Sequence, residues 1–239
     1  MPYNSAVLTL VLLPGMDGTG IFFEDVAAAL RPEFNPIIVA YPNDPSLGYV
    51  ELEALARAAL PQNDPYLILG ESFGGPIAIS IAASNPPGLL GLILCVTFAR
   101  NPHPLLPLVT AILEPLPAWR VPRFIQQPNL FGRFNSPYLR AKLRKVRALV
   151  SQKTLKARLE SVASVDVSEE LRRVSVPTLY LRGKSDRVVS RASCDYIRKI
   201  HSSVEVVELD APHLLLQTVP QAAKSAIEKF VTTRINSSN

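Results

Sequence analysis

Along this chain, short apolar runs rich in Val, Leu and Ile alternate with stretches in which apolar residues return at helical spacing. The runs near Val7–Leu13, Ile37–Ala40, Tyr66–Gly70, Leu89–Val96, Val176–Leu181 and Val204–Leu209 predict strands. Helices are expected near Phe23–Leu30, Val50–Leu60, Phe73–Ala83, Ala192–Ile200 and Leu214–Val231. The strand runs are continuously apolar instead of alternating apolar with polar. A parallel sheet covered by helices on both faces requires that pattern, so the expected class is α/β.

The alternation breaks between Phe98 and about Val165. Eight prolines from Pro102 to Pro137 forbid long helices in the first part, and Leu139–Val165 then resumes a helical, basic pattern. We expect residues 1–98 and 166–239 to form the core domain and 99–165 to be an inserted helical lid. A length of 239 residues, 48% hydrophobic and 19% charged, suits one domain plus an insertion and excludes a disordered chain. Nowhere do about 18 apolar residues follow one another, so no membrane span is expected. Ala6–Leu13 mimics a signal-peptide core. However, no Lys or Arg precedes it and it runs into Pro14-Gly15, so it reads as a buried strand in a cytoplasmic protein. Cys95 and Cys194 are lone thiols without Cys-x-x-Cys spacing, which suits a reducing compartment and supports neither a disulfide framework nor a zinc site.

Chemistry concentrates at three strand ends. Leu67 to Gly75 reads as strand, then Gly70-Glu71-Ser72-Phe73-Gly74, then a helix of small residues. In a Gly-x-Ser-x-Gly turn this sharp, the residues two before and two after the serine must lack side chains. The hydroxyl then stands exposed at a helix N-terminus, where the helix dipole favours developing negative charge. The plain alternative is a Gly-rich turn with Ser72 as a helix cap.

A serine hydroxyl needs a base, and the base needs an orienting acid. Of three histidines, His103 lies among prolines and His201 follows a helix in a polar stretch. His213 falls just past the last strand and before the last helix, where a short loop delivers its ring to the sheet's carboxyl edge. Asp186, after the penultimate strand, is the candidate acid. Asp210, three residues before His213, competes but suits a cap or turn role better.

Leu13-Pro14-Gly15-Met16-Asp17-Gly18-Thr19-Gly20 follows the first strand. Its glycines give neither Gly-x-Gly-x-x-Gly nor a P-loop ending, so nucleotide binding is the weaker use. The better one is an oxyanion hole in which the backbone amides of Met16 and Phe73 converge on the negative oxygen of acyl transfer.

The elbow around Ser72, Asp186 and His213 after the last two strands, and the Gly15-Met16 loop together resemble small, lidded esterases of the α/β-hydrolase superfamily. The resemblance covers nearly all of the chain outside the insertion. It implies Ser72 as nucleophile, Asp186 as acid, His213 as base and Met16 and Phe73 as oxyanion donors, with no cofactor and no metal. Two departures stand out. Pro14-Gly15 replaces the His-Gly of many members, removing a hydrogen bond that braces the loop. The chain also starts close to the first core strand, so a reduced, six-stranded parallel sheet is expected.

The activity so implied is hydrolysis of a carboxylic ester through an acyl-serine. Leu105 to Trp119 carries enough apolar residues to roof an acyl pocket, or equally to pack on the sheet. The net charge of +5 is unevenly spread: residues 99–159 hold twelve Lys and Arg against Glu114 alone, a net +11. Such a field suits docking of an acidic acyl carrier protein, which would make the enzyme an esterase or thioesterase on carrier-bound acyl groups. Carrier-linked methyl ester esterases of biotin synthesis are similar in fold and in their basic lid. Acyl transfer to an alcohol, or a ligand-binding member without catalysis, are the remaining readings. No aromatic stacking pattern beside the arginines favours specific nucleic-acid binding.

Overall fold

A computed structural model describes residues 7–62, 64–103 and 130–236. Six strands, β1 (Leu8–Leu13), β2 (Phe34–Ile38), β3 (Tyr66–Glu71), β4 (Leu89–Cys95), β5 (Thr178–Gly183) and β6 (Glu205–Leu209), form one sheet in the order β2-β1-β3-β4-β5-β6. Every pairing is parallel, with Leu12 opposite Ile38 on one side and Leu69 on the other. Alternate side chains feed two cores. Val11, Leu13, Ile68 and Leu92 pack on one face, Leu10, Leu12, Leu67 and Ile93 on the other. This is why the strands read as unbroken apolar runs.

The first face carries α2 (Tyr49–Ala58), α3 (Gly74–Ala83), α6 (Ser168–Arg173) and α7 (Arg191–Ile200), through Leu52, Ile77, Leu171 and Ile197. The second carries α1 (Phe23–Leu30), α8 (Leu215–Thr218) and α9 (Pro220–Phe230), through Phe23, Leu215 and Ile227. Between β4 and β5 lie α4 (Pro137–Leu149) and α5 (Gln152–Ser164).

The chain leaves β1 towards β2 on one side and returns to β3 on the other, so the carboxyl ends of β1 and β3 border a crevice at a topological switch point. An antiparallel bridge between Arg100 and Asp166 draws together the ends of the segment between them, helped by the Val167 amide donating to Ala99 O at 2.8 Å.

Several boundaries differ from the expectation. β2 begins at Phe34, not Ile37, and includes Pro36. An edge strand tolerates proline because its outward side forms no ladder bonds. The expected helix 214–231 is two, broken at Pro220. Likewise Leu139–Val165 is α4 and α5, because Ser151 caps α5 by accepting from the Thr154 amide at 3.0 Å. The expected apolar roof, 105–119, lies outside the described residues. Among those described, no helix is long and apolar enough to cross a membrane.

Candidate active site

Ser72 sits between β3 and α3 with φ +50°, in the left-handed region that a residue with a Cβ seldom adopts. Its surroundings enforce the strain. A Cβ on Gly70 would lie 2.6 Å from the Gly74 carbonyl oxygen, and one on Gly74 2.6 Å from that of Leu13. The Ser72 amide donates to Cys95 O at 2.9 Å, and its carbonyl accepts from the Gly75 amide and the Thr97 hydroxyl. Thr97 is held in turn by Tyr180, whose hydroxyl donates to Thr97 O at 2.7 Å and accepts from its amide.

His213 and Asp186 reach the same point from the loops after β6 and β5. His213 Nε2 lies 3.0 Å from Ser72 Oγ, and its Nδ1 lies 3.0 and 3.1 Å from the two Asp186 oxygens. With the proton on Nδ1, the ring donates to the carboxylate and accepts from the hydroxyl. The Val188 and Val189 amides also donate to Asp186 Oδ1, at 2.8 and 3.0 Å, fixing that carboxylate. Both side chains are almost completely buried.

The competing assignments fall elsewhere. Asp210 is exposed and pairs with Arg133. His103 is exposed, its ring donating to Val188 O at 2.7 Å. His201 caps the end of α7, and burial lowers its pKa.

Gly15 passes beside the serine: a Cβ there would stand 3.9 Å from Ser72 Cβ, so the β1 loop and the elbow share one rim. Phe73 precedes the first residue of α3, and its buried ring stacks on Tyr49. The loop is internally braced, with the Gly18 amide donating to Gly15 O at 3.0 Å and Asp17 Oδ1 accepting from the Thr19 amide and hydroxyl.

Sequence reading missed Thr97, Tyr180 and Tyr49, none of which belongs to a motif, and the role of Glu71, which fills a variable position of the Gly-x-Ser-x-Gly turn. Glu71 is buried next to Ser72 and accepts from Gln217 Nε2 at 3.2 Å. Burial pushes its carboxyl up to about 7, against the pull of the Gln217 bond and the nearby His213. Cys95 and Cys194 are both buried free thiols. Burial pushes Cys194 up to about 11 and Cys95 well above its ordinary value.

A six-stranded parallel sheet with this elbow and these two loops defines an α/β-hydrolase. The profile of the family described as serine aminopeptidase, S33, matches residues 51–212, and the chain belongs to that family. It is 29% identical to a pimeloyl-[acyl-carrier protein] methyl ester esterase of Aeromonas hydrophila, over 93% of this chain and 94% of that protein. It is 36% identical to phytyl ester synthase 1 of Arabidopsis thaliana, over 45% of this chain but only 17% of that much longer protein. In fold it is similar to a bromoperoxidase from Bacillus anthracis, with a TM-score of 0.80, 16% identity, and 95% and 93% of the two chains covered.

Proposed function

We propose that the chain is a serine ester hydrolase working through an acyl-serine. Ser72 Oγ attacks the acyl carbon and its proton passes to His213 Nε2. The oxyanion is held by the Met16 and Phe73 amides, while Asp186 keeps the ring oriented and stabilises its positive charge. His213 then gives the proton to the departing alkoxide. A water, deprotonated by the same nitrogen, attacks the acyl-serine and releases acid and free Ser72. The observation that carries this reading is the unbroken chain Asp186–His213–Ser72, each link 3.0 to 3.1 Å long, ending on a serine at φ +50°.

The segment 99–165 acts as a lid over the core domain formed by 1–98 and 166–239, and an acidic acyl carrier protein is its partner. Supporting this are the +11 charge of 99–159, the exposed Arg144, Lys145 and Lys153 on α4 and α5, and the likeness to an esterase named for a carrier-bound methyl ester. The buried, unpaired thiols support a reducing, cytoplasmic setting. The likeness to a phytyl ester synthase favours a second reading, in which an alcohol replaces water at the acyl-serine.

Ser72→Ala abolishes hydrolysis of p-nitrophenyl butyrate while circular dichroism and melting stay unchanged. Retention of most activity overturns the assignment.

A further inference from the structure

Among the described residues Arg158 is one of the largest fully buried side chains, yet none of its hydrogen bonds there is to a carboxylate. It projects from α5. Its Nη1 donates to Met16 O at 2.9 Å and Asp17 O at 2.8 Å, and its Nη2 donates to Pro42 O at 2.8 Å. Burying a guanidinium is costly, so three charge-assisted bonds to neutral carbonyls mark a position where backbone orientation is being held. Gly18 makes room for the group. A Cβ there would stand 2.5 Å from Nη1, and φ is +69°.

The bonds fall where the candidate oxyanion loop needs them. The peptide plane that carries the Met16 amide has its other end, Gly15 O, fixed by the Gly18 amide at 3.0 Å. The next plane ends in Met16 O, fixed by Arg158. Both planes flanking the Met16 Cα are therefore pinned, which fixes the direction of its N–H. Pro14 has no N–H and Gly15 no side chain, so Arg158 adds a support from outside to the loop's own bonds. Asp17 adds a buried carboxylate whose field acts on the same guanidinium.

We propose that Arg158 is a positioning residue for the oxyanion site: through the carbonyls of Met16 and Asp17, a helix between β4 and β5 sets the aim of the Met16 amide. The inference rests on the proposed Ser72 mechanism and deepens it, because any movement of α5 is passed directly to the site.

The test compares Arg158→Ala, Arg158→Lys and Ser72→Ala in the full chain with p-nitrophenyl butyrate as substrate. Deleting an oxyanion donor outright costs about 10² to 10³ in turnover, so misaiming one lowers kcat about tenfold to hundredfold, with KM nearly unchanged. Methylguanidinium added to the folded Arg158→Ala enzyme restores part of kcat, and Arg158→Lys, which keeps a charge but not the fork, falls between the two. A purely structural tie predicts otherwise: a lower melting temperature, kcat per folded molecule within about twofold of the parent, and no rescue; that result overturns the proposal. If the alanine variant does not fold, the lysine variant decides by the same kcat criterion. Ser72→Ala separates the two readings, since a dead Ser72→Ala beside a fully active Arg158→Ala removes only the positioning role, whereas an active Ser72→Ala removes both.

Discussion

Tyr49 lies face to face with Phe73, their ring centroids 4.5 Å apart and their planes inclined by 17°. The first residue of α2 thereby clamps the residue that follows Ser72, and the Ser72 turn is buttressed by a separate helix. The Tyr49 hydroxyl is buried and has no hydrogen-bond partner among the described residues. The ring and the hydroxyl therefore contribute with opposite signs. Tyr49→Phe keeps the stack and removes an unsatisfied polar group, so it leaves the melting temperature unchanged or raises it. Tyr49→Ala loses the stack, worth about 0.5 to 1.5 kcal/mol beyond the area buried, and costs about 3 kcal/mol or more in all. Denaturant unfolding of the two variants checks the difference, and a Tyr49→Phe variant as unstable as Tyr49→Ala refutes it.

Glu71 gives the fold a pH dependence of known sign. In the unfolded chain its carboxyl releases its proton near the ordinary value of 4.5, whereas in the folded chain burial holds the proton until about 7. Between those values the folded state binds more protons than the unfolded state, so stability declines as pH rises through the window. Above about 7 the cost is fully present, up to about 3 kcal/mol. Glu71→Gln keeps the shape and an oxygen for Gln217, and it removes this slope. The expected result is a variant that gains stability over the parent at pH 8 and little or nothing at pH 4.5. An identical slope in both proteins rules out Glu71 as its source.

These residues show what the sequence made legible and what it did not. The sheet and its helices could be read because burial on both faces writes continuous apolar runs, and Ser72, Asp186 and His213 could be singled out as candidates because each follows the end of such a run. The start of β2 could not, because Pro36 argues locally against a strand and only its place at the sheet edge removes the objection. Arg158 was one of twelve cations in a basic segment, and the three carbonyls it holds are 116, 141 and 142 residues away. Tyr49, Thr97 and Glu71 likewise owe their roles to tertiary contacts that leave no local signal.

Asp186 accepts two backbone amides besides the His213 ring, so its carboxylate is positioned independently of His213. Asp186→Asn preserves this scaffold but offers an amide to Nδ1, which favours the tautomer with Nε2 protonated and unable to accept from Ser72. Turnover of a p-nitrophenyl ester falls by about 10³ to 10⁴, with the fold intact. Labelling of Ser72 by a fluorophosphonate slows in parallel, because it needs the same proton transfer. Undiminished labelling in Asp186→Asn contradicts the assigned role of the acid.

The basic segment presents fewer free charges than its composition implies. Lys142 is buried against Asp25 and Glu24, with Nζ–O distances of 2.6 and 3.7 Å, and Arg158 is buried on the β1 loop. Arg144, Lys145 and Lys153 are exposed, so they are available to the proposed acidic carrier. Reversing Arg144 and Lys145 to Glu should leave turnover of a free p-nitrophenyl ester unchanged, since both are exposed on α4 and, among the described residues, no hydrogen bond of Ser72 or His213 involves them. With an acyl methyl ester on an acyl carrier protein, the same variant should show a kcat/KM lower by about tenfold or more at low salt. Raising the ionic strength should shrink the gap, because exposed charges are screened within about 8 Å at 0.15 M salt. Steady-state assays of both substrates across a salt series decide the matter. Equal losses on the free and the carrier-bound ester would mean the substitutions damaged the enzyme itself, and no loss on either would remove α4 as the docking face.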